Sequence, residues 1–220
     1  VTIAIKRKNS DLKDILSESA QKYGMNIFIM ENVKTLVTAS DGYFINEIND
    51  KFKKLGYIVS FQVLKASDFG VPQSRERTFI IGSRSIAFNF NMLIKSNKTV
   101  TVKDAISDLH YLESGEGSVV MNYLNKPLSR YQKIMRNKSS KLFNHTATSH
   151  SKIAIRKLSL IPPEKGKEYL PKELLGNQKF KTTWSRLEWN KVSPTIDTRF
   201  DTPSNGKNSH PELNRAITPR

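Results

Sequence analysis

Residues 26–33 read Asn26-Ile27-Phe28-Ile29-Met30-Glu31-Asn32-Val33, a short continuous apolar run that stops at a carboxylate. Four consecutive apolar side chains between polar neighbours are what a strand buried in a parallel sheet shows. Open α/β sheets bind ligands beyond the C-terminal ends of their strands, so Glu31 stands where a site residue is expected. Before the run, from Ser10, a residue of N-cap type, Leu12, Ile15, Leu16 and Ala20 recur on one helical face, and Gly24 suits the exit. After it, residues 43–55 repeat the pattern with Phe44, Ile45, Ile48, Phe52 and Leu55, closed by Gly56. Two β-rich segments follow, residues 57–64 and 78–82, joined by a polar connection with Gly70 and Pro72 that is too long for a tight hairpin. Residues 1–84 therefore read as α/β.

Composition narrows the classes further. The 220 residues include no cysteine, which excludes a disulfide scaffold, a zinc ribbon and a thiol enzyme acting alone, and four scattered histidines offer no metal-ligand spacing. With 37% hydrophobic and 25% charged residues the chain is globular in type. No run approaches the roughly 18 apolar residues of a membrane span, and residues 1–15 lack the order of a signal peptide, so a soluble, intracellular protein is expected. A formal charge of +16 points to a polyanionic partner, nucleic acid first, or else to a basic solvated surface. The excess is uneven: residues 1–84 carry 13 basic and 9 acidic side chains, net +4, and residues 85–220 carry 23 and 11, net +12. In that second part short helices are expected near Val102 and at residues 129–137, and prolines and glycines punctuate the rest. With a boundary between residues 85 and 98, it reads as a recognition surface more than a core.

Three strings stand in order along the chain: Phe-Ile-Met-Glu-Asn-Val at 28–33, Gly-Val-Pro-Gln-Ser-Arg-Glu-Arg-Thr-Phe-Ile-Ile-Gly-Ser-Arg at 70–84, and His-Pro-Glu-Leu-Asn-Arg-Ala-Ile-Thr-Pro-Arg at 210–220. Together they resemble the DNA (cytosine-5) methyltransferases. The first is similar to that family's Glu-Asn-Val motif, the second to its Gln-x-Arg-x-Arg motif, and the third to the start of its late Arg-x-Leu-Thr-Pro-Arg motif. Residues 184–199 resemble the recognition core, in which a Thr and an aliphatic residue, here Thr195-Ile196, precede the last motif. The resemblance implies an α/β fold: the C-terminal part of a Rossmann-like methyltransferase sheet, incomplete, followed by a small, irregular target-recognition domain. It assigns residues 1–84 to the catalytic domain, 85–209 to target recognition and 210–220 to a return segment. It also implies S-adenosylmethionine as cofactor, double-stranded DNA as partner, and a restriction-modification role in a bacterial cytoplasm.

The resemblance carries a mechanism. Cytosine C5 is a poor nucleophile, so the family adds a thiolate to C6, which places negative charge on N3 and O2 of the ring. A carboxylic acid at N3 and a guanidinium at O2 stabilise that charge where it develops. By resemblance Glu31 is the N3 partner, supported by Asn32, and Arg77 the O2 partner, with Arg75 positioning and Gln73 holding the loop or a water. A carboxylic acid donates only while protonated, a form that burial favours and a neighbouring guanidinium opposes. Strand alternation is expected to send Arg75 and Arg77 to one side and Glu76 to the other. The base must leave the duplex, at a cost of roughly a few kcal/mol, while a basic domain holds the distorted DNA. Thr195, Arg199 and Arg186 are the candidates for DNA contact, although Arg199 could instead pair with Asp197 or Asp201. Trp184 and Trp189 are expected to pack, and His145 and His150 to lie at the surface or to cap.

The sequence also departs from the family. It holds no Phe-x-Gly-x-Gly cofactor loop, no Pro-Cys-Gln nucleophile motif and no closing Asn-containing motif. It is expected to be either a piece of a longer enzyme or one polypeptide of a split enzyme whose partner supplies the thiol and the cofactor motifs. Without a thiol it cannot form the covalent intermediate and is expected to be inactive alone. The alternative is a catalytically silent DNA-binding subunit or remnant that keeps only recognition.

Overall fold

The structure, a computed structural model, describes residues 9–176 and 181–220, with side chains from Asp14 onward. The expected cap at Ser10 and the apolar contact of Leu12 lie outside the described side chains. The chain divides into two compact units, Val1–Lys65 with Glu76–Lys95, and Ala66–Arg75 with Ser96–Arg220.

The first unit is a three-stranded sheet with two helices. Helix α1 (Asn9–Lys22) ends before Gly24, whose φ of +56° turns the chain into β1 (Ile27–Val33). Helix α2 (Tyr43–Lys54) ends at Leu55, and Gly56 at φ +81° takes the left-handed position that glycine occupies without a Cβ penalty. Strands β2 (Ile58–Lys65) and β3 (Glu76–Ser83) complete the sheet in the order β1-β3-β2. Ile45, Ile48 and Phe52 of α2, with Ala20 of α1, close over Phe28, Met30 and Ile80. The rings of Phe28 and Phe52 lie 4.1 Å apart. Gly82, opposite Phe28 in register, is required here by space: a Cβ would fall 2.0 Å from that ring.

Four expectations change. The run at 27–30 is not in a parallel pairing: β1 and β2 both pair antiparallel with β3 and run parallel to each other on either side of it. Nor is the run buried on both faces, because α1 and α2 cover only one. Ile27 and Ile29 stay 60% and 65% exposed, and Ile58 joins them on the same face. The strand also continues past Glu31 to Val33, since Glu31, Asn32 and Val33 pair with Phe79, Thr78 and Arg77 as readily as the residues before them pair. In α2, Phe44 lies off the stripe of Ile45, Ile48 and Phe52. It is exposed and meets the Tyr43 ring edge-on at 5.5 Å.

The second unit opens with α3 (Val102–Ile106) and later α4 (Arg130–Met135), both where the sequence sets them. Each is fixed by a reciprocal capping box, Thr101 with Asp104 and Ser129 with Gln132. Between and after them stand β4 (Gly117–Asn122) and β5 (Lys141–Thr146), an antiparallel pair joined through α4, then α5 (Lys152–Ser159) and α6 (Lys172–Leu175). A core of Leu158, Ile161, Leu170 and Trp184 holds the region around α5. The division between the units falls at Lys95–Ser96. Residues 210–220 group with this unit, where backbone bonds tie Ile217 to Asn208 and Arg220 to Asn144. Residues 66–75, which link β2 to β3, group with it as well.

Candidate functional site

On the uncovered face of the sheet, alternation brings Glu31 and Phe79 opposite each other, with Arg77 and Val33 the next pair on that face. The diagonal Glu31 and Arg77 side chains meet as an ion pair, Arg77 Nε to Glu31 Oε1 at 3.0 Å. Arg77 Nη1 donates to the Glu76 carbonyl at 2.7 Å, which fixes the guanidinium plane. Glu76, on the opposite side of the strand, pairs with Lys34. The site is not enclosed: the Glu31 side chain is 46% exposed and that of Arg77 20%. The Asn32 side chain accepts from the Val33 N–H at 2.8 Å, securing the polar end of β1. An adjacent carboxyl and guanidinium of this kind match the neighbouring nitrogen and carbonyl on one edge of a planar heterocycle.

Arg75 precedes β3, and it is described with the second unit, so the strand alternation proposed for Arg75 and Arg77 does not extend to it. Its carbonyl accepts from Ala66 N–H at 2.8 Å, closing the loop. Gln73 is placed by backbone: it forms a parallel bridge with Ser193, and its buried Oε1 has no hydrogen-bond partner among the described residues. Thr195 and Arg199 are exposed, and it is the Arg199 backbone N–H that bonds Asp197 Oδ1, at 2.8 Å. These positions are open to a ligand.

Arg186 is not. It is 2% exposed, and its guanidinium donates to the carbonyls of Leu158, Ile161, His210 and Leu213 and to Asn214 Oδ1 at 2.5–3.2 Å. None of these partners is a carboxylate, and burial pushes its pKa below the ordinary arginine value. Leu158 and Ile161 lie at the C-terminal end of α5, the negative end of the helix dipole, which favours a cation. Arg186 therefore clamps α5 to the 210–214 turn and cannot read DNA. The segment Trp184-Ser185-Arg186-Leu187 carried the sign of this, an arginine between residues that pack.

More buried basic groups hold the last segment. Arg215 donates to the Leu112 carbonyl, His150 Nε2 accepts from Ala216 N–H, and His145 joins Thr218 Oγ1 to the His110 carbonyl. His145 is 1% exposed, so the expected surface role is corrected. His210 Nδ1 accepts from the N–H groups of Glu212 and Leu213, and burial, with Arg215 and Arg186 beside it, lowers its pKa to about 3. Arg215 is lowered to about 10, also by burial. Trp184 packs as expected, while Trp189 is half-buried and donates from Nε1 to Glu212.

The profile of the C-5 cytosine-specific DNA methylase family matches residues 9–220, nearly the whole chain. The chain belongs to the C-5 cytosine-specific DNA methylase family. Among curated relatives of this methylase chain, Type II methyltransferase M1.HphI of Haemophilus parahaemolyticus is 31% identical over 196 residues, 88% of this chain and 45% of the relative. Type II methyltransferase M.DdeI of Desulfomicrobium norvegicum is 35% identical over 148 residues, 63% of this chain and 36% of the relative. The methylase chain thus spans less than half the length of either. Its fold is similar to that of a protein described as a DNA modification methyltransferase encoded within a prophage (E. coli), at a TM-score of 0.68 and 20% identity over 96% of this chain and 61% of the other. The mixed α/β architecture is that of the methylase neighbour. Among the described residues no helix is long and apolar enough to cross a membrane.

Proposed function

We propose that this chain is the central and target-recognition portion of a DNA (cytosine-5) methyltransferase that methylates C5 of a cytosine flipped from duplex DNA, in bacterial restriction-modification. The observation that carries the reading is the Glu31–Arg77 pair, 3.0 Å apart at the sheet edge where β1 and β2 end. A cytosine entering there meets the Glu31 carboxyl group at N3 and a guanidinium that donates to O2. Both act on the charge that develops when C6 is attacked, as the donors of an oxyanion hole do. The expected burial of Glu31 is not met by this chain alone. Ile27, Ile29 and Ile58 on the same face form an apolar surface that further polypeptide could cover, and covering it would withdraw the pair from water.

S-adenosylmethionine supplies the methyl group when bound, and in this reading its main binding motifs lie outside this chain. The glycines next to the strands serve other ends: Gly24 and Gly56 lie at helix ends and Gly82 admits Phe28. No step is therefore assigned to residues of this chain toward the cofactor, and the thiol and the cofactor motifs are assigned to polypeptide outside it, in the same chain or in a partner. The second unit, with the exposed Thr195 and Arg199, binds the duplex in the bacterial cytoplasm. One observation favours a second reading, a silent DNA-binding subunit: the 220 residues contain no cysteine. Transfer of radiolabelled methyl from S-adenosylmethionine to duplex DNA separates the two. Transfer by this chain joined to, or mixed with, the polypeptide carrying Pro-Cys-Gln supports the enzyme, and DNA binding with no transfer leaves only the silent subunit.

A further inference from the structure

Both backbone groups of Ser193 are held by the loop that carries Gln73 and Arg75. Ser193 N–H donates to the Pro72 carbonyl at 3.1 Å, and Ser74 N–H donates to the Ser193 carbonyl at 2.8 Å. This parallel bridge is buried, with Ser193 4% exposed. Thr195, exposed, stands two residues after Ser193, and Arg75 stands one residue after Ser74. Pro194 and Pro72 each fix one φ near −65°, so the short paths from bridge to Thr195 and through the loop are stiff. On its other side the same segment is anchored, because Val102 and Lys103 of α3 donate to the carbonyls of Lys191 and Trp189, both at 2.9 Å. The bridge therefore lies between an anchor and an exposed tip. Pro72, Ser193 and Ile196 also line one cavity of about 350 Å³, so the bridge is not locked into a filled core.

We propose that Ser193 is a positioning residue: through its backbone bridge to Pro72 and Ser74, the seating of Thr195 on duplex DNA sets the position of the loop that carries Gln73 and Arg75. This rests on the reading of Thr195 as a DNA contact. Target engagement and loop placement are then one event, and discrimination between sites extends beyond the contacts that touch bases. A side chain need not carry the signal, since the two backbone bonds do.

Amide hydrogen exchange of the 220-residue chain tests this, with a duplex pool enriched by binding from random sequence as the probe and the unselected pool as comparison. Protection of the Ser74 and Ser193 amides is expected to rise together, at least ten-fold, with the enriched duplex. Ser193→Pro removes the N–H that holds Pro72. That variant should bind the enriched duplex about ten-fold more weakly, as reciprocal coupling requires, and lose the rise at Ser74, whereas Ser193→Ala, which keeps both backbone bonds, should retain both. Should Ser193→Pro fail to fold, Thr195→Ala gives a second route: bound to the same duplex, it should lack the rise at Ser74. A rise at Ser193 without Ser74, or a rise at Ser74 that survives in a folded Ser193→Pro or in Thr195→Ala, overturns the coupling while leaving recognition intact. Failure of the unaltered chain to bind any duplex overturns the recognition reading itself.

Discussion

Two arginines define what single residues do here, and they behave oppositely. Arg77 faces Glu31 at a largely open sheet face, so breaking the pair should cost little stability, about 0–1 kcal/mol, as for other exposed ion pairs. Its proposed value is chemical. In enzyme completed with the thiol-bearing polypeptide, Glu31→Gln or Arg77→Ala should leave duplex affinity largely intact and lower turnover by about 10²–10³. Single-turnover rates beside equilibrium binding check this, and an unchanged rate removes both residues from the catalytic set. Arg186 is the reverse case. Arg186→Lys keeps the charge but cannot satisfy acceptors on Leu158, Ile161, His210, Leu213 and Asn214 at once. It should lower stability by about 3 kcal/mol, read from urea unfolding. A loss below about 0.5 kcal/mol would place Arg186 among ordinary surface positions. The sequence made both arginines candidates, because residue type and motif position are visible in it. Which way a guanidinium faces is decided by partners distant in the chain, the end of α5 and the 210–214 turn, and that was not.

At the scale of elements, the sheet depends on one close approach. Gly82→Ala places a methyl against the buried Phe28 ring, and overpacking of this kind costs about 1–3 kcal/mol. Phe28→Leu should recover part of that loss in the double variant, so a double-mutant cycle in urea should show coupling between the two positions, and strict additivity would deny the contact. The last segment depends instead on histidines kept neutral. His210 titrates near 6.5 when unfolded and at about 3 when folded, so between those values only the unfolded chain takes up its proton. Stability is whole above pH 6.5 and declines as pH falls towards 3, by at most about 1.4 kcal/mol per pH unit from this group. His145 and His150, both lowered chiefly by burial, act in the same direction. Urea midpoints should therefore fall from pH 7 to pH 5. His210→Asn, whose carbonyl can accept from the same N–H groups, should flatten the fall, and a midpoint that rises on acidification contradicts the assignment. Helices α1, α2, α3 and α4 and strands β2 and β3 were legible because their periodicity and caps are local. The antiparallel partner of β1 was not, since pairing is non-local. Nor was the β4–β5 pair, where Val119, Val120 and Phe143 stay exposed and no alternation marks a buried face.

For the whole molecule the question is how much of its charge a polyanion can meet. Residues 85–220 carry a net +12 in sequence, but Arg186 and Arg215 are turned inward onto backbone carbonyls, and Arg136 is paired with Asp108. These cations serve the fold and are unavailable to phosphates. Lys126, Arg130, Lys133, Lys138, Lys141, Lys152 and Arg156 remain exposed, together with Arg199. A duplex that engages about four of them should release counterions in proportion, so that affinity falls about a hundred-fold between 50 and 200 mM salt. Fluorescence anisotropy of a labelled duplex across that range gives the slope. Arg199→Ala or Lys133→Ala should reduce it by about one ion each, whereas Arg186→Lys, if folded, should leave it unchanged because its charge never met a phosphate. A flat salt dependence would mean that the basic half is solvated surface only, and the recognition role assigned to the second unit would go with it.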